Sequence, residues 1–524
     1  MYSPSSKFPV YCQKCWWGDS WDGTDYGTEY DFNKPFFTQL HELQWKIPRL
    51  ALQNKNPVNS EYCNYATNNK NCYLCFSIGG SEETYYSGPQ IVGNKNCFDC
   101  SMSVKNENCY HVIDCAESYN LLFSHNCIAC RDSAFLWNCR NCSNCLGCVN
   151  LRNKEYCIFN RQYSKGEYGE KLRAYGLNTY SGLKEFEGIF KGFKAKQIHR
   201  FAVIDRSSDC TGDSILNSKA CHSCFAVVGS ENCKYSFILN NAKDSFDCNN
   251  FYPSGEESYE VISLIESTKT LFGVAAISNS SFSEYVDTCA GAQNCFGCIG
   301  IKNKQYCILN KQYSKKSYSE ILPRIKEHMQ QMPYLDSHNR RYGYGEFFPM
   351  DISPYSYNES LAQEYFPLTP EEIKQHGYGY RDLQPVIYKT TIESSDIPDD
   401  IETISPNILD ETLECAHKNT CGEPCSAAFK ILPQELQFHK VNHIPLPRLC
   451  VKCRAFSRIR ERNPLKLWKR LCGCKGEKSQ GGIYSNTAKH SHGDASCPNE
   501  FETTYSPDRP EIVYCENCYN AEVV

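Results

Sequence analysis

The segment "NCIACRDSAFLWNCRNCSNCLGC" (Asn126–Cys148) returns to cysteine at steps of three, six and twelve residues. From residue 97 to residue 157 the cysteines keep one six-residue register, and serine or leucine fills the positions between them. This spacing is too long for a single helix or strand, and it is typical of short strands separated by turns. It predicts a β-solenoid whose coils stack small sulfur or aliphatic side chains over one another. The spacing leaves open whether a coil takes twelve, eighteen or more residues.

A larger duplication lies over this repeat. The segments "CLGCVNLRNKEYCIFNRQYSK" (Cys145–Lys165) and "CFGCIGIKNKQYCILNKQYSK" (Cys295–Lys315) align at a constant offset of 150 residues. Both copies continue into helix-like sequence, which we interpret as caps that protect the last coil from edge-to-edge association. The predicted fold is therefore mainly β, with two tandem β-solenoid lobes, helical caps and small zinc-ribbon domains.

The predicted domain organisation follows from these repeats and from changes in composition. Every charged residue between positions 393 and 414 is acidic, and two prolines interrupt the segment, which is typical of a linker. The predicted units are an N-terminal half zinc ribbon with an acidic aromatic segment (1–59), a first β-solenoid lobe (60–165), a helical cap and connector (166–204), a second β-solenoid lobe (205–315), a helical cap with an aromatic strap (316–392), an acidic linker (393–414), zinc ribbon 1 (415–463) and zinc ribbon 2 (464–524).

The cysteine content indicates a reducing compartment. The chain has 35 cysteines in 524 residues, which would suit either a disulfide scaffold or a metal protein. No secretory signal is visible and no run approaches transmembrane length. We therefore expect a cytoplasmic protein without membrane contact, whose cysteines are thiols or zinc thiolates. The formal net charge of −5 argues neither for nor against a nucleic-acid partner.

Two pairs of cysteines predict the first zinc ribbon. Cys421 and Cys425 are followed, after a strand-and-helix insert, by Cys450 and Cys453. Two such knuckles supply four thiolates, which can hold one Zn²⁺ ion in tetrahedral geometry. Cys415 is a reserve ligand, and the alternative is a reduced, metal-free pair of turns.

A second ribbon is predicted further along the chain, where the first knuckle is split by a loop. The favoured zinc ligands are Cys474, Cys497, Cys515 and Cys518, with Cys472 close behind. His490 and His492, in the loop sequence "KHSHG", could also be ligands, but we favour the interpretation that this loop is solvated surface.

The N-terminal segment "YSPSSKFPVYCQKC" (Tyr2–Cys15) aligns without a gap with "YSPDRPEIVYCENC" (Tyr505–Cys518). Cys12 and Cys15 therefore offer half of a zinc site, and we include them among the predicted ligands. Their partner ligands stay open, because they could come from elsewhere in the chain, from another subunit, or not at all.

The solenoid cysteines have two interpretations. A ladder of thiols can bind metal ions or a cluster. Free thiols also pack well as small hydrophobic side chains in a narrow core, and we favour this second interpretation.

The segment Arg448–Arg470 carries nine basic residues and a single acidic one, Glu461. A helix from this stretch would project a basic face from a zinc knuckle, which suits phosphate backbones. The alternative is a solvated face neutralised by the acidic linker or the strap. The candidate nucleic-acid-binding residues are Arg454, Arg458, Arg460, Arg462, Lys466, Trp468, Lys469 and Arg470.

With these motifs in view, nearly the whole chain resembles an uncharacterised family of cysteine-rich zinc-ribbon proteins of uncultivated, reduced-genome bacteria. The resemblance rests on motifs such as "YCQKCWWGDSWD", "NKQYCILNKQYSK", "IPLPRLCVKCR" and "CPNEFETTYSPDRPEIVYCENCY". The segment Cys421–Arg454 is also similar to a zinc-binding domain of small bacterial proteins, which implies Zn²⁺ as cofactor. Many relatives have a complete ribbon before the tryptophans at the positions of Trp16 and Trp17, and this chain lacks that upstream cysteine pair. The family supplies no established activity.

The sequence contains no phosphate-cradling loop, serine-hydrolase elbow, metalloprotease motif or dinucleotide fingerprint. We therefore expect a non-catalytic zinc protein that engages a macromolecule, with nucleic acid or the ribosome preferred over a protein partner. Two alternatives stay open. One is a β-solenoid enzyme acting on a carbohydrate or small metabolite, and the other is a structural or assembly protein that self-associates through Cys12 and Cys15.

Overall fold

The computed structural model describes residue 2 and residues 6–251, 254–275, 279–382, 388–476 and 484–523. The chain is mainly β, as the sequence predicted. Its strands gather in a first stack (residues 54–162) and a second stack (residues 204–312), and the helices and small sheets lie around them.

The helices are short. The α-helices are α1 Gln13–Trp17, α2 Phe36–Gln44, α3 Lys165–Ala174, α4 Tyr180–Ala195, α5 Lys315–Gln331, α6 Leu361–Tyr365, α7 Pro370–Gln375, α8 Pro433–Val441, α9 Val451–Glu461 and α10 Glu516–Val523. The 3-10 helices are Gly23–Tyr26, Met350–Ile352, Tyr357–Glu359, Ile401–Thr403 and Pro406–Leu409.

The strands are also short. Those of the first stack are Asn54–Lys55, Asn64–Thr67, Phe76–Gly79, Glu82–Tyr85, Ile91–Val92, Lys95–Phe98, Ser103–Val104, Tyr119–Leu122, Arg131–Ala134, Ser143–Leu146, Glu155–Ile158 and Arg161–Gln162. Those of the second stack are Ile204–Asp205, Gly212–Leu216, Lys219–His222, Cys224–Val228, Glu231–Lys234, Phe237–Asn240, Ala242–Phe246, Asn249–Phe251, Gly255–Glu256, Tyr259–Leu264, Ser267–Val274, Ser281–Asp287, Cys307–Ile308 and Lys311–Gln312. The remaining strands are Val10–Tyr11, Arg49–Leu50, Ile198–Arg200, Tyr334–Leu335, Arg341–Tyr342, Leu413–Glu414, Ala428–Phe429, Trp468–Leu471, Glu500–Thr503 and Ile512–Tyr514.

In both stacks the chain advances by one coil every twelve residues. Arg131 pairs in parallel with Ser143 in the first stack, and Cys221 pairs in parallel with Cys233 in the second. A few coils take eleven or thirteen residues. Parallel pairing at these offsets places each coil against the next, so the usual coil length, which the sequence left open, is twelve.

Left-handed backbone turns the chain at every third residue of a coil. Asn138, Asn141 and Asn144 have φ angles of 52°, 51° and 50°, and a twelve-residue coil therefore has four such corners. Asparagine tolerates this conformation better than most residues. Its amide also bonds the equivalent residue of the next coil, as from Asn138 Nδ2 to Asn150 Oδ1 at 2.9 Å. The corners explain the frequent asparagines of the repeat.

Cysteines line the interior of the first stack. Cys97 is fully buried, and its thiol donates to the carbonyl of Lys95 (3.2 Å) and to that of Asn106 in the next coil (3.5 Å). Burial raises the pKa of Cys72 to about 11, so this thiol stays protonated at neutral pH. All 35 cysteines lie in the described part of the chain, and none of them forms a disulfide. The stack thiols therefore act as small packed side chains that also donate weak hydrogen bonds.

The duplicated motif at the end of each stack closes its last coil. Asn160 accepts from the Val149 N–H and donates to the Val149 carbonyl, both at 2.9 Å. Asn310 makes the same two bonds with Ile299 in the second stack. The amide thus satisfies backbone groups that a following coil would otherwise occupy. The serine of each motif then caps the next helix, α3 or α5.

Equivalent helices cover the two stacks. Phe186 of α4 packs on Phe135 and Phe159 of the first stack, with ring centroids 4.9 and 5.4 Å apart. Phe36 of α2 packs on Tyr285 of the second stack at 5.2 Å. Phe36 and Phe186 are 150 residues apart, as are Phe135 and Tyr285. The helix α2 precedes the first stack but covers the second, whereas α4 precedes the second stack but covers the first. The helix of each half of the chain therefore packs on the stack of the other half.

The aromatic strap packs against the second stack. Tyr344 and Phe348 join the core of that region, and the Tyr285 hydroxyl donates to the Glu346 carbonyl at 3.0 Å. Residues 383–387 of the predicted strap segment lie outside the described residues.

Residues 393–414 are not a free linker, contrary to the sequence prediction. Ile397, Ile401 and Ile404 are buried and pack in one core with the cysteines of ribbon 1. Asp399 accepts from the Ser181 N–H of α4 at 2.9 Å. The isoleucines face this core while acidic side chains face solvent or the helix, so the charge run does not mark a flexible segment.

Candidate metal centres

The segment predicted as zinc ribbon 1, for which we keep the name ribbon 1, contains two short strands and the first turn of α9. Leu413–Glu414 and Ala428–Phe429 pair antiparallel, and Cys415 directly follows the first strand. Cys450 is the N-cap of α9, and Cys453 lies in the first turn. The partial positive charge of a helix N-terminus favours thiolates at these positions.

Four thiols of ribbon 1 converge on one point. The Sγ atoms of Cys415, Cys425, Cys450 and Cys453 all lie within 4.8 Å of one another. The Cys415–Cys453 and Cys425–Cys450 sulfur separations are both 3.9 Å. Tetrahedral geometry with a zinc–sulfur bond of about 2.3 Å puts neighbouring sulfurs about 3.8 Å apart. The set therefore fits a tetrahedral metal ion of the size of Zn²⁺.

Backbone N–H groups donate hydrogen bonds to two of these sulfurs, which stabilises negative charge on them. The Cys450 N–H donates to Cys415 Sγ and the Ala427 N–H donates to Cys425 Sγ, both at 3.3 Å. Hydrogen bonding from the Cys415 thiol lowers the pKa of Cys450, so one thiol of the set ionises readily. Because metal binding requires thiolates, these contacts favour metal capture.

The predicted ligand Cys421 lies outside this set. It groups instead with His417 and Cys453, and its Sγ is 3.9 Å from Cys453 Sγ. Cys415 takes its place, because the Cys415 N–H donates to the Ala427 carbonyl (2.8 Å) and this bond holds the residue in the ribbon core. The spacing of the cysteine pairs favoured Cys421 as a metal ligand. The pairing of the two strands instead places Cys415, the reserve ligand, in the four-thiol set.

Ribbon 2 repeats the arrangement. Its strands Trp468–Leu471 and Glu500–Thr503 pair antiparallel. Its third strand, Ile512–Tyr514, pairs in parallel with Ile198–Arg200, a strand that precedes the second stack in the chain. Its four-thiol set, again with all Sγ atoms within 4.8 Å of one another, is Cys472, Cys497, Cys515 and Cys518. The sulfurs of Cys497 and Cys515 are 3.9 Å apart, which again suits one tetrahedral ion.

The favoured ligand Cys474 is not in this set, and the alternative Cys472 is. The Gly473 N–H donates to the Val513 carbonyl at 2.8 Å, and the Cys515 N–H donates to Cys472 Sγ at 3.1 Å. These bonds hold Cys472 beside the second knuckle. Cys474 contributes to a neighbouring group instead.

That neighbouring group contains both loop histidines. Its members, with ligand atoms within 4.8 Å of one another, are Cys474, His490, His492 and Cys518. The favoured interpretation that the loop is merely solvated is wrong for His490, which is buried. The pair of histidines just before Cys497 was the signal in the sequence that could have identified this group.

Cys12 and Cys15 join no metal group among the described residues. Both are exposed. The preceding strand, Val10–Tyr11, pairs in parallel with Arg49–Leu50, and the Trp16 carbonyl accepts from Lys302 Nζ at 3.0 Å. The half ribbon is therefore docked on the protein while its thiols face solvent. Likewise, within the described ranges, no candidate metal group lies in either stack.

The basic helix α9 faces the first stack. Arg454, Arg458 and Arg462 are four residues apart, which places them on one side of a helix. Arg454 and Arg458 lie 3.0 and 2.6 Å from Asp99, and Arg462 lies 3.2 Å from Asp114. Burial raises the pKa of Asp114, but Arg462 and a neighbouring histidine outweigh it and lower the value to about 2. These three arginines do not form the exposed basic face that the sequence predicted.

The other predicted nucleic-acid residues lie nearer the surface. The side chain of Arg460 is 61 % exposed and pairs with a glutamate of ribbon 1. Arg470 donates to two backbone carbonyls of ribbon 2. Lys466 and Lys469 are exposed, and Lys466 Nζ lies 5.2 Å from the ring of the half-buried Trp468. We call Lys466, Trp468 and Lys469 the ribbon strip, because they are open to a partner.

No family model matches the chain. No curated protein matches it either. A solved structure, described as a presumed acetyltransferase from Desulfovibrio desulfuricans G20, is 10 % identical over 52 % of this chain and 67 % of that chain, with a TM-score of 0.10. A likeness at that score carries no argument about fold or function. Among the described residues, helices are too short or too polar to cross a membrane.

Proposed function

We propose that this chain is a non-catalytic zinc protein that recognises a macromolecule, with nucleic acid as the preferred partner. The two stacks are interpreted as β-solenoid lobes, and the ribbons as zinc-organised modules fixed to them. The observation that carries the proposal is the convergence of four thiols within 4.8 Å in each ribbon.

The burial of the thiols favours a structural ion over a catalytic one. Cys415 and Cys450 are 0 % exposed and Cys453 is 1 % exposed. Catalytic zinc keeps one coordination position for water or substrate, whereas four protein thiolates close the site. The ion would therefore fix the first turn of α9, and α9 in turn carries the arginines that bind the first stack.

The ribbon strip offers groups that suit a nucleic acid, with Trp468 and Lys469 on opposite faces of their strand. Its lysines offer charge to phosphates and its tryptophan offers a ring for base stacking. The strip lies on or beside the strand Trp468–Leu471, which is paired along its length with Glu500–Thr503. A partner would therefore meet a surface held by a rigid element.

The test is the binding of labelled RNA and DNA oligonucleotides to the full chain over a series of salt concentrations. We expect affinity that falls steeply with salt, and a loss of about tenfold or more after the double change Lys466→Glu and Lys469→Glu. The matched control is Lys315→Glu with Lys316→Glu, which reverses two exposed lysines of α5. Equal loss in both variants would contradict the role of the strip, and absence of binding would favour the assembly alternative.

One candidate site for the enzyme alternative is a cavity of about 70 Å³ where ribbon 2 meets both stacks. Asp114 and Asp213 line it, but Asp114 pairs with Arg462 and Asp213 accepts from Thr504 at 2.9 Å. Sites for small molecules usually have volumes of about 300–1,000 Å³. The small volume and the engaged carboxylates favour the non-catalytic proposal.

A further inference from the structure

We propose that ribbon 2 holds two metal ions bridged by the sulfur of Cys518. This inference deepens the proposed zinc-binding function and rests on it. The four-thiol set would hold the first ion. Cys474, His490 and His492 would hold the second ion together with Cys518, which belongs to both groups.

The distances suit a second tetrahedral ion. His492 Nε2 lies 3.3 Å from Cys518 Sγ, and His490 Nδ1 lies 3.7 Å from Cys474 Sγ. Zinc–nitrogen and zinc–sulfur bonds of about 2.0 and 2.3 Å put tetrahedral ligand atoms about 3.6 Å apart. The four ligand atoms therefore have the spacing of one coordination shell.

Each histidine is held by its other ring nitrogen. His490 Nε2 lies 2.9 Å from Glu522 Oε1, and His492 Nδ1 lies 2.7 Å from the Ala495 carbonyl. Metal-binding histidines usually donate their second N–H in this way, which leaves the lone pair of the first nitrogen for the metal. The side chains of His490 and Glu522 are 1 % and 0 % exposed. A buried histidine–carboxylate pair of this kind is not expected in a loop that is merely solvated.

The carboxylate that orients His490 is itself fixed. Glu522 accepts from the Thr487 N–H at 2.9 Å and from the Tyr484 hydroxyl at 3.1 Å. These bonds hold the Glu522 carboxylate in the position from which it orients His490.

A second ion also reduces the buried charge. Four thiolates around one divalent ion leave a net charge of two minus, which is costly in a buried site. Adding the Cys474 thiolate and a second divalent ion leaves one minus. Asn486 Nδ2 donates to Cys474 Sγ at 3.2 Å, which supports negative charge on that sulfur.

The experiment measures the metal content of the full chain and its ¹¹³Cd NMR spectrum after cadmium exchange. We expect the double variant His490→Ala with His492→Ala to lose one metal ion per chain relative to the unchanged protein. We also expect scalar coupling between two cadmium signals through Cys518, and loss of this coupling in the variant. The control is His443→Ala, which removes an exposed histidine of ribbon 1.

An unchanged metal content in the double variant, or uncoupled cadmium signals in the unchanged protein, would overturn the bridged site. Neither result would affect the four-thiol ions, whereas a protein without any metal would overturn the proposed function itself. Circular dichroism of each variant separates loss of an ion from loss of the fold.

An independent observation points to an interaction surface on the second stack. Counting back coil by coil from the duplicated motif, the parallel registers make Tyr235 and Asp247 equivalent to Tyr86 and Asp99. In the first stack Asp99 receives two arginines of α9, and the Arg454 guanidinium lies 5.0 Å from the Tyr86 ring.

The equivalent pair on the second stack is open. Tyr235 is 65 % exposed, and in the described part of the chain no cation pairs with the exposed Asp247. We infer that this pair docks a helix of a partner protein that carries two arginines four residues apart, as α9 does. The chemistry is a guanidinium between a carboxylate and an aromatic ring.

The probe is a peptide with the sequence of residues 448–463, held helical by a side-chain staple and checked by circular dichroism, added to the full chain, whose own α9 already occupies the first stack. We expect saturable binding that weakens at least tenfold after Asp247→Asn with Tyr235→Ala. The control is Glu256→Gln, which removes an exposed carboxylate of the same stack. No saturable binding, or equal weakening in the control, would refute this surface.

Discussion

Arg458 and Asp99 are separated by 359 residues in the sequence, yet their side chains form an ion pair of 2.6 Å that is closed to solvent. Arg458 also donates to the Tyr86 carbonyl (2.9 Å) and to the Ser101 hydroxyl (3.2 Å). A buried charge needs several such partners to offset its lost hydration. Ribbon 1 and the first stack therefore form one packed unit.

Removing this arginine should destabilise the protein strongly. Arg458→Ala leaves a buried carboxylate with fewer partners, and we expect a loss of roughly 3–5 kcal/mol in the free energy of unfolding. The matched control is Arg460→Ala on the exposed side of the same helix, for which we expect less than about 1 kcal/mol. Urea unfolding of the two variants checks this, and equal losses would contradict the buried docking of α9.

Two cysteine variants distinguish the ligands of ribbon 1. Cys415→Ser should lose one metal ion per chain, because Cys415 belongs to the four-thiol set. Cys421→Ser should keep that ion, because the set is complete without it. Metal analysis by mass spectrometry checks the pair, and the reverse pattern would restore the ligand set predicted from spacing.

The closing asparagine of the first stack gives a third prediction. Asn160→Ala leaves the Val149 N–H and carbonyl without the bonds of 2.9 Å that they make now. We expect a loss of roughly 1–3 kcal/mol and faster hydrogen exchange at the Val149 amide. Asn153→Ala, at an exposed corner, is the control and should cost less than about 1 kcal/mol. An Asn160 variant as stable as its control would mean that the last coil does not need this closure.

His439 should make stability depend on pH. The ring is buried against Tyr110, with centroids 4.9 Å apart, and Nδ1 lies 2.8 Å from the Pro445 carbonyl. Burial, helped by the nearby Arg454, lowers the pKa of His439 to about 4. An unfolded histidine has a pKa of about 6.5. Because the folded pKa is the lower one, this stabilisation is complete above about pH 6.5 and is lost as the pH falls toward about 4.

Between about pH 7.5 and about pH 5.5 we therefore expect His439 to account for a loss of roughly 1–2 kcal/mol. Thermal unfolding at both pH values, with His439→Gln beside the exposed control His443→Gln, measures this contribution. The His439 variant should show the weaker pH dependence. Identical slopes for the two variants would show that the buried ring does not control the titration.

The existence of a stacked repeat was predictable because interior positions recur at a fixed spacing, but that spacing left the length of one coil open. Cys127 and Cys139, for example, are twelve residues apart and are both fully buried. The number of four-thiol sets was also predictable, but their membership was not. Cys415 and Cys472 are in the four-thiol sets instead of the favoured ligands, because hydrogen bonds between strands hold them in the interior. The spacing of cysteines in the sequence contains no information on which strands pair.

The surface on which the basic helix α9 packs could not be predicted from local sequence. A spacing of four places Arg458 and Arg462 on one helix face, but it does not say whether that face meets water or carboxylates. Their partners, Asp99 and Asp114, lie 359 and 348 residues away in the chain. Only the packed structure shows that the charge is neutralised inside the molecule.

The most direct test of the zinc-ribbon account is the metal content of the full chain, purified without added metal and measured by mass spectrometry. We expect at least two zinc ions per chain, one for each four-thiol set. Cys450→Ser and Cys515→Ser should each remove at least one of them. Freshly purified protein without a transition metal, or with a zinc content that neither substitution changes, would contradict the account.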